Sequence, residues 1–512
     1  MSHPNNSHFS APNHHPSPVH NTANPAPHPL HFNLQIAARA SMLEHGFEPD
    51  FPSDAAAELT ALRTNPAEKR VTGLKDLRNL LWSSIDNDTS RDLDQIEWAE
   101  QLADGRIRVL VAVADVDASV PKGSAIDHHA GKETTSVYTG VKVFPMLPTD
   151  LSEDLTSLNE NEDRLAMVYD YCVNAAGEVS DGKISRAVVR NKAQLAYGSV
   201  GAWLEGKAEA PPKVAASAEL AAQLKLQDAA AQLLRKERYQ NGALDIETIE
   251  THPVLLAEDK MDIETQEKNR ATELIEEFMV GANGVVARTL SAAGLASIRR
   301  IVRVPKRWDR IVEVAAQMGT KLPADPDSKA LNEFLINRRK ADPDHFPDLS
   351  LTIVKLMGPG EYVMDKPGSE APGHFGLAVQ DYTHSTAPNR RYADLITHRV
   401  LKAWMNTANP PYSSGELEAI AFNCTQKEDG ARKVEREMQK RIAAVVLAPR
   451  VGQSFDGIVT GVNHYGTFVR ILQPHAEGML VQNSGKALDV GDRVHVKLIS
   501  TNPEQGFIDF AC

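Results

Sequence analysis

The stretch that decides the fold is SIDNDTSRDLDQIEWAEQLADGRIRVLVAVADV, residues 84–116. Two runs that favour β-strands, DQIEWAEQL and RIRVLVAVADV, are separated by a turn signal at 103–105, so the stretch predicts a hairpin. Four carboxylates fall within nine positions just before it: Asp86, Asp88, Asp92 and Asp94. Asp92 and Asp94 are two residues apart, so on an extended strand their side chains point to the same face. We therefore expect a functional site where the hairpin begins.

Carboxylates held this close together repel one another unless cations lie between them. Ligation by oxygen alone suits Mg²⁺, with Mn²⁺ as the second candidate. Two such ions could activate a water and stabilise the leaving 3′ oxygen in phosphodiester hydrolysis. The alternative is a solvated acidic turn or an EF-hand loop for Ca²⁺, in which Asp86, Asp88, Ser90 and Glu97 would be ligands. Arg91, however, stands where that loop needs glycine.

The whole chain has the composition of a globular protein with more than one domain. It has 512 residues, of which 42% are hydrophobic and 24% charged, and a formal net charge of −13. This charge argues weakly against binding of duplex DNA, but a basic channel for RNA can lie inside an acidic shell. Three scattered cysteines, the lack of a secretory signal and the lack of a long apolar run predict a cytoplasmic protein without membrane contact.

The sequence pattern divides the chain into four parts, and the fold class it predicts is α+β. Residues 1–30 are mostly Pro, Asn, Ser and His, which predicts a disordered tail. Residues 31–72 predict a small helical module, for which a helix-turn-helix is one interpretation. Residues 73–448 mix strands and helices, and residues 449–512 hold five short β-runs that predict a five-stranded barrel. The clearest helix candidates lie at 269–294 and 416–448.

Four motifs in the central part resemble the RNB catalytic domain of the RNase II family. The first is the acidic run, in which Asp86, Asp92 and Asp94 match the metal-binding acids of the family. The others are TSVY (135–138) with FPMLP (144–148), then IEEFMVGAN (275–283), then HFGL (374–377) with YTHSTAPNRRYADLITHR (382–399). All four occur in family order over about residues 73–405. The resemblance implies a mixed α/β catalytic domain.

The C-terminal stretch 452–512 resembles the S1 RNA-binding domain, a member of the OB-type barrels. Gly457, HYGTFV (464–469), EGML (477–480) and VGDRV (490–494) carry this resemblance. Within it, His464, Tyr465 and Phe468 are candidates for a surface on which single-stranded RNA stacks. Phe468 could equally fill the core of the barrel.

The RNB resemblance implies a 3′-to-5′ exoribonuclease that degrades single-stranded RNA processively to nucleoside 5′-monophosphates. It implies that Asp94 and Arg390 are catalytic together with Asp86 and Asp92, and that the metal ions are Mg²⁺ or Mn²⁺. It further implies that Tyr138 stacks on the 3′-terminal base. The remaining roles that it suggests are a contact of Glu276 with the terminal ribose, a contact of Arg391 with the RNA backbone, and a place for His384 in the same pocket.

One departure from the family pattern lies inside the acidic run. Gln95 stands where the family usually has a fourth aspartate, and we expect it to remain a neutral oxygen ligand. Asp88, in the same loop, could supply the missing charge. A rival interpretation is an RNA-binding scaffold of the same fold whose catalysis is weakened at Gln95. A DNA exonuclease is a third interpretation, which predicts equal activity on deoxyoligomers.

The residues before position 73 contain too few β-type segments for the cold-shock barrels that usually precede the catalytic domain in this family. A channel without such barrels would have a wider opening. We therefore expect tolerance of structured RNA that carries a 3′ overhang, and we expect the protein to act as a monomer on RNA.

Overall fold

The computed structural model describes residues 32–512 apart from a set of short segments. Those segments are 68–72, 248–249, 257–259, 267, 344, 367, 369–372 and 483–487. The tail predicted at 1–30 and the end of the helical module at 68–72 therefore lie outside the described residues.

Helices in the described part of the chain lie between residues 34 and 447. They are α1 (Leu34–Glu44), α2 (Ser53–Thr64), α3 (Ala125–Glu133), α4 (Tyr197–Leu204), α5 (Pro212–Ala215), α6 (Ala218–Gln240), α7 (Arg270–Ala292), α8 (Trp308–Gln317), α9 (Ser328–Ala341), α10 (Phe346–Met357), α11 (Tyr392–Met405) and α12 (Ser414–Leu447). The two helices predicted from periodicity correspond to α7 and α12. Each begins with a capping box, formed by Asn269 with Thr272 in α7 and by Ser413 with Glu416 in α12.

Strands form one large sheet, three small two-stranded sheets and a barrel. They are β1 (Lys75–Asp76), β2 (Trp82–Asp86), β3 (Gln95–Gln101), β4 (Ile107–Ala114), β5 (Val137–Tyr138), β6 (Val143–Phe144), β7 (Asp163–Val173), β8 (Val179–Ala196), β9 (Glu250–Leu256), β10 (Lys260–Gln266), β11 (Ser297–Ile301), β12 (Glu361–Asp365), β13 (Ser454–Asn463), β14 (Gly466–Leu472), β15 (His475–Gln482), β16 (Arg493–Asn502) and β17 (Phe507–Ala511).

The large sheet has the strand order β1-β8-β2-β3-β4-β7, and β7 also pairs with β8. The predicted hairpin is formed by β3 and β4, which are antiparallel from Gln95↔Val113 to Gln101↔Ile107. Nearly every residue of β4 is buried, so this strand lies in the core. Helices pack against the sheet next to it. β2 ends at Asp86 and β3 begins at Gln95, so the loop between these two strands carries the acidic run.

The two N-terminal helices bury their apolar residues against different parts of the molecule. Met42 and Ala38 of α1 join a hydrophobic cluster with Val434 and Met438 of α12. Ala55 of α2 instead belongs to the main core that contains the large sheet. In a helix-turn-helix the helices pack on each other, so this packing does not support that interpretation of residues 31–72.

Strands β13 to β17 close into a barrel in the order β13-β14-β15-β17-β16, as the sequence predicts. Val469, Ile471 and Phe510 fill its interior. On β14 the intervening residues face outward, and Arg470 forms an ion pair of 2.9 Å with Asp348 of α10. The barrel is thereby attached to the central part through a half-buried charge pair. The α+β prediction with a C-terminal five-stranded barrel is confirmed.

Within the described part of the chain, we find no helix that combines the length and the apolar character needed to cross a membrane.

Candidate active site

Asp94 is the most buried carboxylate of the acidic run, with only 2% of its surface exposed. Its Oδ1 accepts a hydrogen bond of 2.9 Å from the backbone N–H of Asn389, and its Oδ2 accepts one of 3.2 Å from Nε of Arg390. Asn389 and Arg390 belong to the motif at 382–399, so two motifs that are almost 300 positions apart meet at one carboxylate. The guanidinium itself is exposed, which leaves its remaining N–H groups available to an anion.

Asp92 lies beside Asp94 and contacts a different partner. The Tyr138 hydroxyl donates a hydrogen bond of 3.1 Å to Oδ2 of Asp92. The backbone N–H of Tyr138 donates to Glu435 of α12, which fixes the position of the short strand β5. The Tyr138 side chain nevertheless remains 41% exposed. The site therefore has an accessible aromatic ring directly next to its carboxylates.

Asp86 lies at the end of β2 and is held by its own loop. Its Oδ1 accepts hydrogen bonds from the backbone N–H of Asn87 (2.7 Å) and from Oγ of Ser90 (2.8 Å). Gln95 is buried at the start of β3, whereas Asp88 is exposed in the turn of the loop. An exposed carboxylate is a poor substitute for a buried charge, because water screens it. The structure thus gives no support to a compensating role for Asp88.

Burial dominates the electrostatics of these carboxylates. The pKa of Asp94 is raised to about 7, mainly by burial, while Arg390 opposes the shift and Asp92 adds to it. Burial also raises the pKa of Asp86, while the hydrogen bonds from Asn87 and Ser90 act against it. Carboxyl groups in this state gain from a nearby cation, because a positive charge stabilises their ionised forms.

The loop that carries the carboxylates is fixed by a segment to which the sequence assigned no role. The backbone N–H of Leu93 donates to Oγ of Ser157 (3.0 Å), and that hydroxyl donates to the carbonyl of Arg91 (2.6 Å). Thr156, one residue earlier, donates to Oδ1 of Asn389 (2.6 Å). Nothing in the local sequence pattern indicates that Ser157 anchors this loop.

The donor set of the site fits a hard divalent cation, since Asp86, Asp92, Asp94 and Gln95 offer only oxygen ligands. They are not gathered around one point, however. Among the residues that the structure describes, no three His, Cys, Asp or Glu side chains form a ready ligand group for one ion. Asp92 is directed to Tyr138 and Asp94 to Arg390, which explains the separation. Their assignment as metal ligands remains a prediction.

The two adjacent glutamates of α7 lie in different environments. Glu277 is 2% exposed and forms a tight ion pair with Arg238 of α6. Glu276 contacts the same guanidinium at 2.9 Å and Lys268 at 3.2 Å, and its side chain is 37% exposed. Glu276 is the accessible one, and its contact with a ribose remains a prediction.

Arg391 and His384 line a separate small cavity of about 90 Å³ together with Tyr362 and Glu428. Arg391 forms a bidentate pair with Asp394, at 2.8 Å for each contact, and Asp394 is completely buried. Nδ1 of His384 lies 2.8 Å from the Tyr362 hydroxyl. The adjacent arginines therefore differ in role, because Arg390 points to the acidic run and Arg391 neutralises a core aspartate.

The barrel presents its aromatic candidates on the outside. Tyr465 is 75% exposed, and its ring centroid lies 3.8 Å from that of His464. Phe468 is half-buried and lies outside the barrel core, which is formed on this strand by Val469 and Ile471. The surface position of Phe468 favours the binding interpretation over the core interpretation, although RNA contact at these residues is still a prediction.

Two family models match the chain. The RNB domain matches residues 74–407, and the RNase II-type exonuclease C-terminal S1 domain matches residues 453–512. Ribonuclease R from Vibrio parahaemolyticus is 30% identical over 93% of this chain and 60% of its own length. The chain thus spans about 60% of the length of the curated relatives it matches.

Solved structures agree with these matches. The apo form of Mycoplasma genitalium RNase R superposes with a TM-score of 0.82 at 25% identity, covering 93% of this chain and 78% of that protein. The same enzyme in complex with double-stranded RNA gives a TM-score of 0.81 at 26% identity, covering 93% and 83%. The resemblance read from the motifs is confirmed: the chain belongs to the RNB-domain family and carries the C-terminal S1 domain of RNase II-type exonucleases.

Proposed function

We propose that this protein is a metal-dependent exoribonuclease that hydrolyses single-stranded RNA processively from the 3′ end and releases nucleoside 5′-monophosphates. The observation that carries the proposal is the meeting of Asp94, Arg390 and Tyr138 at the acidic run, in a chain of the RNB family. Carboxylates, a guanidinium and an exposed ring are the groups that phosphodiester hydrolysis at a strand end requires.

Tyr138 is proposed to hold the 3′-terminal base. Its ring is accessible, and its hydroxyl is tied to Asp92, so a base stacked on the ring has its sugar-phosphate next to the carboxylates. Stacking on an aromatic ring contributes roughly 1–3 kcal/mol per base and tolerates every base. Such a contact suits an enzyme that removes nucleotides regardless of sequence.

Arg390 is proposed to bind the scissile phosphate. Asp94 orients the guanidinium through Nε, and the other N–H groups can donate to a phosphate oxygen. The ion pair with a buried carboxylate fixes the arginine before substrate binds, so little reorganisation is needed when negative charge develops. Asn389 contributes by fixing Asp94 through its backbone N–H.

Asp86, Asp92, Asp94 and Gln95 are proposed to hold the divalent ions, Mg²⁺ or Mn²⁺. When bound, these ions would supply an activated water and stabilise the leaving 3′ oxygen. Burial is the main cause of the raised pKa values of Asp86 and Asp94, and it supports this proposal because a bound cation would stabilise their ionised forms.

Preference for RNA is proposed to depend on Glu276. A carboxylate can accept hydrogen bonds from the 2′ and 3′ hydroxyls of the terminal ribose, and DNA lacks the first of these. We further propose activity on structured RNA with a 3′ overhang, supported by the solved complex of Mycoplasma genitalium RNase R with double-stranded RNA. Both proposed RNA surfaces belong to one chain, which supports action as a monomer.

The test is digestion of a 5′-labelled oligoribonucleotide and of the matching deoxyoligomer, with and without Mg²⁺ or Mn²⁺. We expect the RNA to yield mononucleotides in the presence of either ion, and the DNA to stay intact. A duplex with a 3′ overhang should be degraded into its paired region.

Three other results would redirect the assignment. If neither ion supports cleavage while RNA still binds, the chain is an RNA-binding scaffold, as the neutral Gln95 would allow. Equal cleavage of the deoxyoligomer would indicate a DNA exonuclease. Degradation that stops at the end of the overhang would contradict the proposed activity on structured RNA.

A further inference from the structure

A carboxylate to which the family motif gives no role lies deep in the sheet beside the acidic run. Glu97, on β3, is 0% exposed, and neither of its carboxylate oxygens has a hydrogen-bond partner among the described residues. A buried carboxylate without a donor or a counter-charge is strongly unfavourable, because the interior does not replace its hydration. Its presence in the core therefore calls for a function.

The position of Glu97 relates it to the residue that departs from the family pattern. Glu97 follows Gln95 by two positions on the same extended strand, so the two side chains point to the same face of the sheet. β3 is paired at Glu97 with β4, through Val111, and with β2, through Ser83, and β2 ends at Asp86.

Two further polar oxygens near Glu97 also lack hydrogen-bond partners among the described residues. Oγ of Ser83 and Oε1 of Gln227, a residue of α6, are both buried and have no hydrogen-bond partner in the described part of the structure. Nε2 of Gln227 lies 3.5 Å from the backbone carbonyl of Glu97 rather than at its carboxylate. These neighbours bring no positive charge to Glu97. A cation held at the adjacent site would supply it.

We propose that Glu97 provides, from the buried side of the sheet, the negative charge that Gln95 does not, and that it strengthens the binding of divalent cations at Asp86. The proposal rests on the metal-dependent function proposed above. It makes Glu97 a positioning residue that acts on the ions through Asp86 and Gln95. It also assigns the compensation to a buried carboxylate instead of the exposed Asp88.

The experiment measures Mn²⁺ binding to the full chain without RNA, from the electron paramagnetic resonance signal of free Mn²⁺. The Mn²⁺ binding that is lost in Asp86→Asn is the binding that belongs to the acidic site. Glu97→Gln, which keeps the shape of the side chain, should weaken that binding by about 10–100-fold, as loss of a supporting group around a metal site does. Glu100→Gln is the matched control, because Glu100 lies on the same strand and is exposed next to Arg108. We expect it to bind Mn²⁺ like the wild type.

The decisive variant is Gln95→Asp combined with Glu97→Gln, which returns the charge to the family position. We expect this pair of changes to restore Mn²⁺ binding to near the wild-type value. A purely structural role for Glu97 predicts no such rescue. Glu97→Gln should also melt no lower than the wild type without metal, because an amide needs no counter-charge.

The proposal is overturned if Glu97→Gln binds Mn²⁺ as tightly as the wild type. It is also overturned if adding Gln95→Asp to Glu97→Gln fails to restore the Mn²⁺ binding that Glu97→Gln loses. It is also overturned if Asp86→Asn leaves Mn²⁺ binding unchanged, since the ions would then bind elsewhere. Failure of the proposed function would give a different experimental result from failure of this proposal. A wild-type protein that binds Mn²⁺ at Asp86 but cuts no RNA would contradict the enzyme and leave the role of Glu97 in ion binding intact.

Discussion

The acidic site and the outer face of the barrel are built in opposite ways. Asp94 is 2% exposed and is fixed by two hydrogen bonds from a distant motif, whereas Tyr465 on the barrel is 75% exposed and contacts a neighbouring ring. Chemistry on a phosphodiester depends on charges held in place away from water. Binding of a flexible strand depends on accessible rings that accept any base.

Because one region is buried and the other exposed, we expect the two regions to respond differently to substitution. In the acidic site each group is oriented by others, so removal of one member should cost most of the rate. On the barrel each ring acts nearly alone, so removal of one should weaken binding by a modest factor. Four sets of variants can break or sharpen this contrast.

The largest effect is expected for Asp94→Asn. An amide keeps the shape of the side chain but cannot offer a full negative charge to a metal ion or to Arg390. We expect the rate of a single RNA turnover to fall by on the order of 10³-fold or more, while RNA affinity changes little. Asp88→Asn, in the exposed turn of the same loop, is the control and should retain full activity. A substantial residual rate in Asp94→Asn would contradict the assignment.

The next effect separates two adjacent arginines. Arg390→Met should reduce the rate by about 10²–10³-fold, because the phosphate loses its charged donor. Arg391→Met should instead destabilise the fold by about 3 kcal/mol, because Asp394 is left buried without its partner. Turnover rates and urea unfolding curves measured on both proteins test this pair. Equal losses of stability in the two variants would mean that Arg390 is structural as well.

An intermediate effect is expected at Tyr138. Removal of the ring in Tyr138→Ala should lose stacking of roughly 1–3 kcal/mol, which appears as a higher KM for short oligoribonucleotides. Tyr138→Phe keeps the ring and loses only the hydrogen bond to Asp92, so its KM should stay near the wild-type value. If Tyr138→Phe is impaired as strongly as Tyr138→Ala, the hydroxyl matters more than the ring.

The smallest effect is expected on the barrel. Tyr465→Ala should weaken binding of a long single-stranded RNA by about 1 kcal/mol, and Tyr465→Phe should bind normally. Oligomers too short to reach from the acidic site to the barrel should show no difference between these proteins. Filter binding with a length series measures both. An equal loss for the shortest oligomers would show that the barrel ring does not act as a separate surface.

Local pattern was enough to predict much of this architecture. The β3–β4 hairpin, helices α7 and α12 and the five strands of the barrel all follow from periodicity and turn residues over short windows. The helix-turn-helix interpretation of residues 31–72 stays a prediction that the packing of α1 and α2 does not support. The periodicity of an amphipathic helix predicts that one face is buried, but it does not predict which element that face packs against.

The sequence by itself determined which residues are candidates for the chemistry, since carboxylates in one loop, an arginine pair and a tyrosine can be read from residue types and motif order. Only the tertiary structure decided how these residues are paired and buried. It brought Arg390 to Asp94 and Arg391 to Asp394, made Glu276 the accessible glutamate, and enclosed Glu97 without a hydrogen-bond partner among the described residues. The physical reason is that burial and charge pairing depend on contacts between segments hundreds of residues apart, which no local pattern encodes.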